Sequence, residues 1–204
     1  MTAQLALTIA VIIVATWLLR SRRRKSASVL SRWQIRYSPG MPKAPTAQGS
    51  GWYFDFPITP SSHVHYVQDF EPPALRPGMT LTARFRIDGT TVFIPQESPA
   101  QKATVSLLVQ RKGDDWSARG KYAAYRWYSG EQIALAPGEH VLRVPLTAEH
   151  FGDVYGGHDP QAFAAALANV KNIGLVFGST GGRGHGVYAT SVARFTLVSM
   201  QAVG

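Results

Sequence analysis

The chain has 204 residues, 45% of them hydrophobic, with 21 Lys/Arg against 12 Asp/Glu and no cysteine. That length supports one substantial core with short accessory segments, and the missing cysteines exclude disulfides and thiolate metal sites. The net charge of +9 is not spread over the chain, because Arg20 to Lys43 carries eight Lys/Arg and no acid while residues 44–204 are nearly balanced. A phosphate-tracking surface needs clustered, uncompensated cations on the folded part, so nucleic acid is not an expected partner.

Residues 1–19 are uncharged, and Leu5 to Leu19 is apolar except for Thr8 and Thr16. About 20 helical residues cross a bilayer's hydrocarbon core, so this stretch reads as a short transmembrane anchor. Five cations follow at once in Arg20 to Lys25. A cleaved signal peptide has its charge before the apolar run; here the order is reversed, and an uncleaved single-pass anchor is expected. The positive-inside rule then places the amino terminus outside and the main domain in the cytoplasm, with the basic flank against anionic head groups; the opposite orientation is the alternative. Residues 20–37 form a basic juxtamembrane segment in this reading. Its Trp33, Ile35 and Tyr37 fit either an interfacial position or a first strand of period two.

Residues 38–51, SPGMPKAPTAQGSG, have the composition of an extended linker, which would reach about 40 Å at ~3.1 Å per residue. The domain is expected over residues 52–204. There the apolar residues alternate in short runs: Trp52, Phe54 and Phe56; Leu81, Ala83, Phe85 and Ile87; Val105, Leu107 and Val109; Leu142, Val144 and Leu146. Each run keeps one polar face, the pattern of antiparallel sheets packed face to face. One helix is expected after Asp159-Pro160, with Asp as cap, Pro in the first turn and Phe163, Leu167 and Val170 as its apolar stripe. Lys171 to Met200 reads as three closing strands, marked by Ile173, Leu175 and Phe177, then Val187 to Thr190, then Ala193, Phe195 and Leu197. A loop with five glycines, Gly178 to Gly186, separates the first two.

The run NIGLVFG, a Gly-rich loop, a short GVYAT strand and a final ARFTLVSM strand resemble the galactose-binding-like jelly roll of many carbohydrate-binding modules, over roughly Trp52 to Met200. The resemblance implies an all-β two-sheet sandwich, into which the expected helix is a short insertion, a non-catalytic binding role for a carbohydrate or polyol, and, as often in that family, a structural calcium ion. No other cofactor is evident. Such modules are normally exported and attached to a glycoside hydrolase, and neither setting is visible in this chain.

Candidate binding residues centre on Trp116 and on Tyr125, Arg126, Trp127 and Tyr128. On an extended strand Tyr125 and Trp127 face one way and Arg126 and Tyr128 the other, so either exposed face joins aromatics to a cation. Sugar rings offer apolar C–H faces and hydroxyl edges, which suits such a surface; the bland alternative is that these aromatics are core. Arg183 and His185 project from the glycine loop. That loop is not a phosphate cradle, since it lacks a Lys-Ser/Thr ending and leads into a strand. His63 and His65 share one strand face but have no third ligand at metal spacing. His150, Asp153, His158 and Asp159 surround a loop without the calcium-loop pattern. No G-x-S-x-G or H-E-x-x-H is present, which makes a glycan-active enzyme the weakest reading. An assembly module that docks a protein partner at the membrane is the competing one.

Overall fold

A computed structural model describes residues 32–204. The expected anchor and the Arg20 to Lys25 flank lie outside the described residues, and among those described no helix is long and apolar enough to cross a membrane. The elements in chain order are strands β1 (Trp33–Arg36), β2 (Thr46–Gln48), β3 (Gly51–Asp55), β4 (Tyr66–Asp69), β5 (Thr80–Asp88), β6 (Phe93–Pro95), β7 (Ala103–Arg111), β8 (Arg126–Ala134), β9 (Gly138–Pro145) and β10 (Phe151–Gly152), then helix α1 (Pro160–Ala168), then β11 (Val170–Ser179), β12 (Val187–Ala189) and β13 (Arg194–Val203).

Two antiparallel sheets face each other, one ordered β1-β4-β11-β7-β8-β10 and the other β2-β3-β13-β5-β9, with β6 and β12 paired separately. The chain crosses repeatedly between the sheets, as in a jelly roll, and the expected all-β sandwich with one short helix is what forms. Between the sheets lies an aromatic core. Phe195 stacks on Phe54 at 5.3 Å and on Phe85 at 4.8 Å, and meets Phe177 of the opposite sheet edge-on at 5.5 Å. The alternating residues of the closing strands are therefore inward, but β11 and β13 belong to different sheets and meet across the core.

The two sheets differ on their outer faces, and that difference positions the site. In β5 the inward Leu81, Ala83, Phe85 and Ile87 alternate with exposed Arg84, Arg86 and Asp88, as period two requires for a sheet facing water. In β7 and β11 nearly every residue is buried on both faces. The outer face of the six-stranded sheet is thus covered, in part by the loop from Lys112 to Tyr125, whose Trp116 packs with Val154 against the cluster of Tyr66, Leu108, Tyr128 and Val176.

Helix α1 forms as its sequence dictates. Asp159 caps it, its carboxylate accepting from the N–H groups of Gln161 at 2.9 Å and Ala162 at 3.2 Å, and Pro160 occupies the first turn. Phe163 and Leu167 are buried, with Phe163 against Trp127 and Phe151 at 5.0 Å each. Val170 falls outside the helix and opens β11.

Residues 33–48 differ from their composition-based reading. Trp33 and Ile35 are core residues of β1, which pairs with β4 in register Trp33↔Asp69, and Trp33 packs on Trp52 at 5.0 Å. Thr46–Gln48 pairs with β3. The prolines and glycines of 38–51 make turns between two edge strands, so the sandwich takes in residues expected to be juxtamembrane segment and linker. Arg32, just ahead of β1, forks onto the buried carboxylate of Asp69.

Candidate functional site

The cover of the six-stranded sheet is built on a buried polar chain. Gln68 donates to Asn172 at 3.1 Å, Asn172 to Gln110 at 2.6 Å, and Gln110 to the Asp114 carboxylate at 2.6 Å. Each member is closed off from water and satisfied by the next, which fixes the loop on the sheet. Asp114 also accepts from the Trp116 N–H at 3.0 Å, holding Trp116 at φ +66°, a conformation that costs a non-glycine residue on the order of 1–3 kcal/mol. Three contacts keep it there. The Arg126 guanidinium lies 4.5 Å over the Trp116 ring, Tyr37 is 4.4 Å away and Tyr66 5.2 Å.

Beyond this cover the sheet opens into a cleft of about 320 Å³, lined by Tyr128, Asp153, Tyr155, Arg183 and His185 together with the glycines beside them. Tyr128 is its floor. Its hydroxyl is 3.4 Å from that of Tyr66, and burial pushes both phenols above their ordinary pKa. Since one of two paired hydroxyls donates to the other, one O–H of the pair is left for another acceptor.

One wall is the turn after β10. Asp153 accepts from the N–H groups of Tyr155 and Gly157, both at 2.8 Å, and this side-chain turn presents the Tyr155 ring 75% exposed, with its hydroxyl donating to the Ala118 carbonyl at 3.0 Å. The opposite wall is the glycine loop. Gly184 is required there, because it adopts φ +80° and a Cβ would lie 2.0 Å from the Tyr66 hydroxyl. His65 fastens the loop from below, its Nδ1 2.7 Å from the Gly184 carbonyl.

Arg183, on that loop, is half-buried. Its Nε is enclosed without a hydrogen-bond partner, and its one hydrogen bond among the described residues is a 3.4 Å donation from Nη2 to the Gly130 carbonyl. Desolvation lowers its pKa below the ordinary guanidinium value, and it belongs to none of the ion pairs among the described residues. His185 at the rim pairs with Glu97 at 2.7 Å.

Of the expected binding residues, Tyr128, Arg183 and His185 therefore come together. Trp116, Tyr125, Arg126 and Trp127 do not line the cleft. Gly120–Tyr125 is a 3₁₀ segment, so strand alternation starts only at Arg126. Trp127 then points inward, fully buried, with its indole N–H donating to the Ala124 carbonyl at 2.9 Å. Arg126 is consumed by Asp114, and Tyr125 lies under the guanidinium of Arg111 at 4.6 Å. Tyr155, absent from the sequence-based candidates, also lines the cleft. Its signal is an aromatic in D-x-Y-G-G, where the Asp turn and glycines leave the ring largely exposed while its hydroxyl is held by the Ala118 carbonyl.

Calcium takes 6–8 oxygen ligands, from carboxylates, side-chain amides and backbone carbonyls. Among the described residues no three His, Asp or Glu side chains converge as metal ligands. Asp153 spends an oxygen on its turn, Asp159 caps α1, and His150 bonds Glu131. His63 is buried, its ring 4.5 Å from that of His65.

No protein-family model matches the chain, and no curated relative does. Among solved structures it is similar to a non-crystalline cellulose specific carbohydrate-binding module, CBM28, at 13% identity, over 84% of this chain and 87% of that one, with a TM-score of 0.43. At that level the likeness is one of general outline.

Proposed function

We propose that the sandwich is a non-catalytic module that binds a carbohydrate or similar polyol in the cleft over Tyr128, and that residues 1–19 tether it to a membrane. The observation that carries the binding role is the pairing, in one cleft, of an exposed Tyr155 ring with converging polar groups on Asp153, Tyr128 and Arg183. A sugar presents an apolar ring face to the aromatic and hydroxyl edges to the donors and acceptors, so each part of the cleft has a complementary part of the ligand. The test is a glycan array probed with the full-length chain and with Tyr155→Ala. Binding lost in the variant at an unchanged melting temperature supports the proposal. Equal binding by both proteins, or none by either, overturns it.

The tether is supported by the apolar run and its trailing cations, and their order favours a cytoplasmic domain. With β1 beginning at Trp33, only residues 20–32 separate the apolar run from the first strand, a shorter connection than the residues 20–51 expected from composition. Alkaline phosphatase fused after Gly204 is expected to be inactive and a fluorescent protein there to glow. An active phosphatase reverses the orientation.

A further inference from the structure

We propose that the sugar in the cleft is acidic, a uronic-acid residue whose carboxylate is received by Arg183; this rests on the cleft being a carbohydrate site. A guanidinium taken half out of water is costly unless an anion compensates it, and the fully buried Asp and Arg side chains among the described residues each have such a partner. Asp69 has Arg32, and Arg126 has Asp114. Arg183 has a long bond to one carbonyl and an enclosed Nε with no acceptor, at the wall of a cleft.

The geometry of the group narrows the anion. A guanidinium offers parallel N–H donors that match the two oxygens of a planar carboxylate. The other lining groups narrow it further. Asp153 brings a negative charge into the same cleft, and one of its oxygens is committed to the Tyr155 and Gly157 N–H groups. Its other oxygen accepts no hydrogen bond from the described residues and is free to take one from a ligand. A sulfate ion has no donor to offer, whereas a uronic acid brings hydroxyl donors for Asp153, a ring face for Tyr155 and a carboxylate for Arg183. The Tyr66–Tyr128 hydroxyl pair supplies one more O–H to a ligand oxygen.

The experiment uses the full-length chain on an array of galacturonate, glucuronate and mannuronate oligosaccharides, their methyl esters, sulfated glycans and neutral oligosaccharides. Esterification keeps the sugar and removes the charge. The expected result is binding to one or more free acids, weakened at least tenfold by esterification and by Arg183→Gln, and partly retained in Arg183→Lys, which keeps the charge without the fork. Tyr155→Ala, in contrast, is expected to weaken every bound sugar. Each variant is compared at an unchanged melting temperature. Preference for neutral or esterified sugars overturns the acidic ligand while leaving the carbohydrate reading intact. Preference for sulfated glycans overturns the carboxylate. Absence of binding to the whole array overturns both.

Discussion

Nε of Arg126 lies 3.0 Å from Oδ2 of Asp114, with the side chains 7% and 0% exposed. The N–H is not aimed along that line, so the contact is one of charge, while Arg126 Nη2 donates to the Trp116 carbonyl at 3.1 Å and Gln110 donates to the carboxylate. The pair clamps the Lys112 to Tyr125 cover onto the sheet. Removing one partner of such a pair strands the other charge, which costs about 3–5 kcal/mol. Asp114→Asn should therefore lower the melting temperature by on the order of 10 °C, at 2–4 °C per kcal/mol for a domain of this size. An unchanged melting curve would show that the cover is held by something else.

Trp127 separates a core role from a ligand role. Its ring is fully buried against Phe163, and its truncation opens a cavity, a change that costs about 3–5 kcal/mol. In urea titration Trp127→Ala should shift the midpoint strongly downward. A variant of native stability would return Trp127 to the surface.

Trp33 decides where the domain begins. A residue in a linker or at a bilayer interface contributes little to the fold, whereas Trp33 is 5% exposed and packed on Trp52. Trp33→Ala should cost about 3–5 kcal/mol in the same titration. A change below about 0.5 kcal/mol, the usual size for a surface substitution, would detach β1 from the core.

Acid should loosen the glycine loop. Burial lowers the pKa of His65 below the ordinary 6.5, against the raising influence of the Gly184 carbonyl, and His63 and His185 oppose a charge there while Glu97 favours one. His63 is lowered by burial too. A histidine whose folded pKa is depressed binds protons more readily in the unfolded chain, so its stabilising effect is complete above about pH 6.5, declines as pH falls below that value, and stops declining below the folded pKa. The melting temperature should fall from pH 7 to pH 5, and His63→Gln, which removes one titrating ring, should fall less steeply. Parallel curves for the two proteins would remove the histidine pair from the explanation.

What could be read from the sequence was what short spacing controls. The cap at Asp159, the two-residue alternation of β5 and the inward Ile173, Leu175 and Phe177 depend on neighbours within a few positions. Trp33 and Ile35 were ambiguous because two alternating residues followed by a Pro/Gly stretch fit an edge strand and an interfacial segment equally well. The phase of β8 was recoverable, since Trp127 and Tyr128 do point to opposite faces, but which face met water was not. That depended on the Lys112 to Tyr125 loop folding over the outer face, a consequence of the long-range Gln68, Asn172, Gln110 and Asp114 chain. The cleft was still less legible. Tyr128, Tyr155 and Arg183 are brought together by sheet pairing and loop placement, and no local pattern records it.

The proposed cleft over Tyr128 has a rival on the open face of the five-stranded sheet, where Tyr53 lies under the Arg194 guanidinium at 3.9 Å and offers another aromatic with a cation. The most direct measurement is calorimetric titration of the strongest array glycan into the full-length chain, Tyr155→Ala and Tyr53→Ala. Roughly tenfold or greater weakening is expected in Tyr155→Ala, equivalent to about 1.4 kcal/mol, with native affinity in Tyr53→Ala. Native affinity in Tyr155→Ala with weakening in Tyr53→Ala would move the ligand out of the cleft and onto the open face.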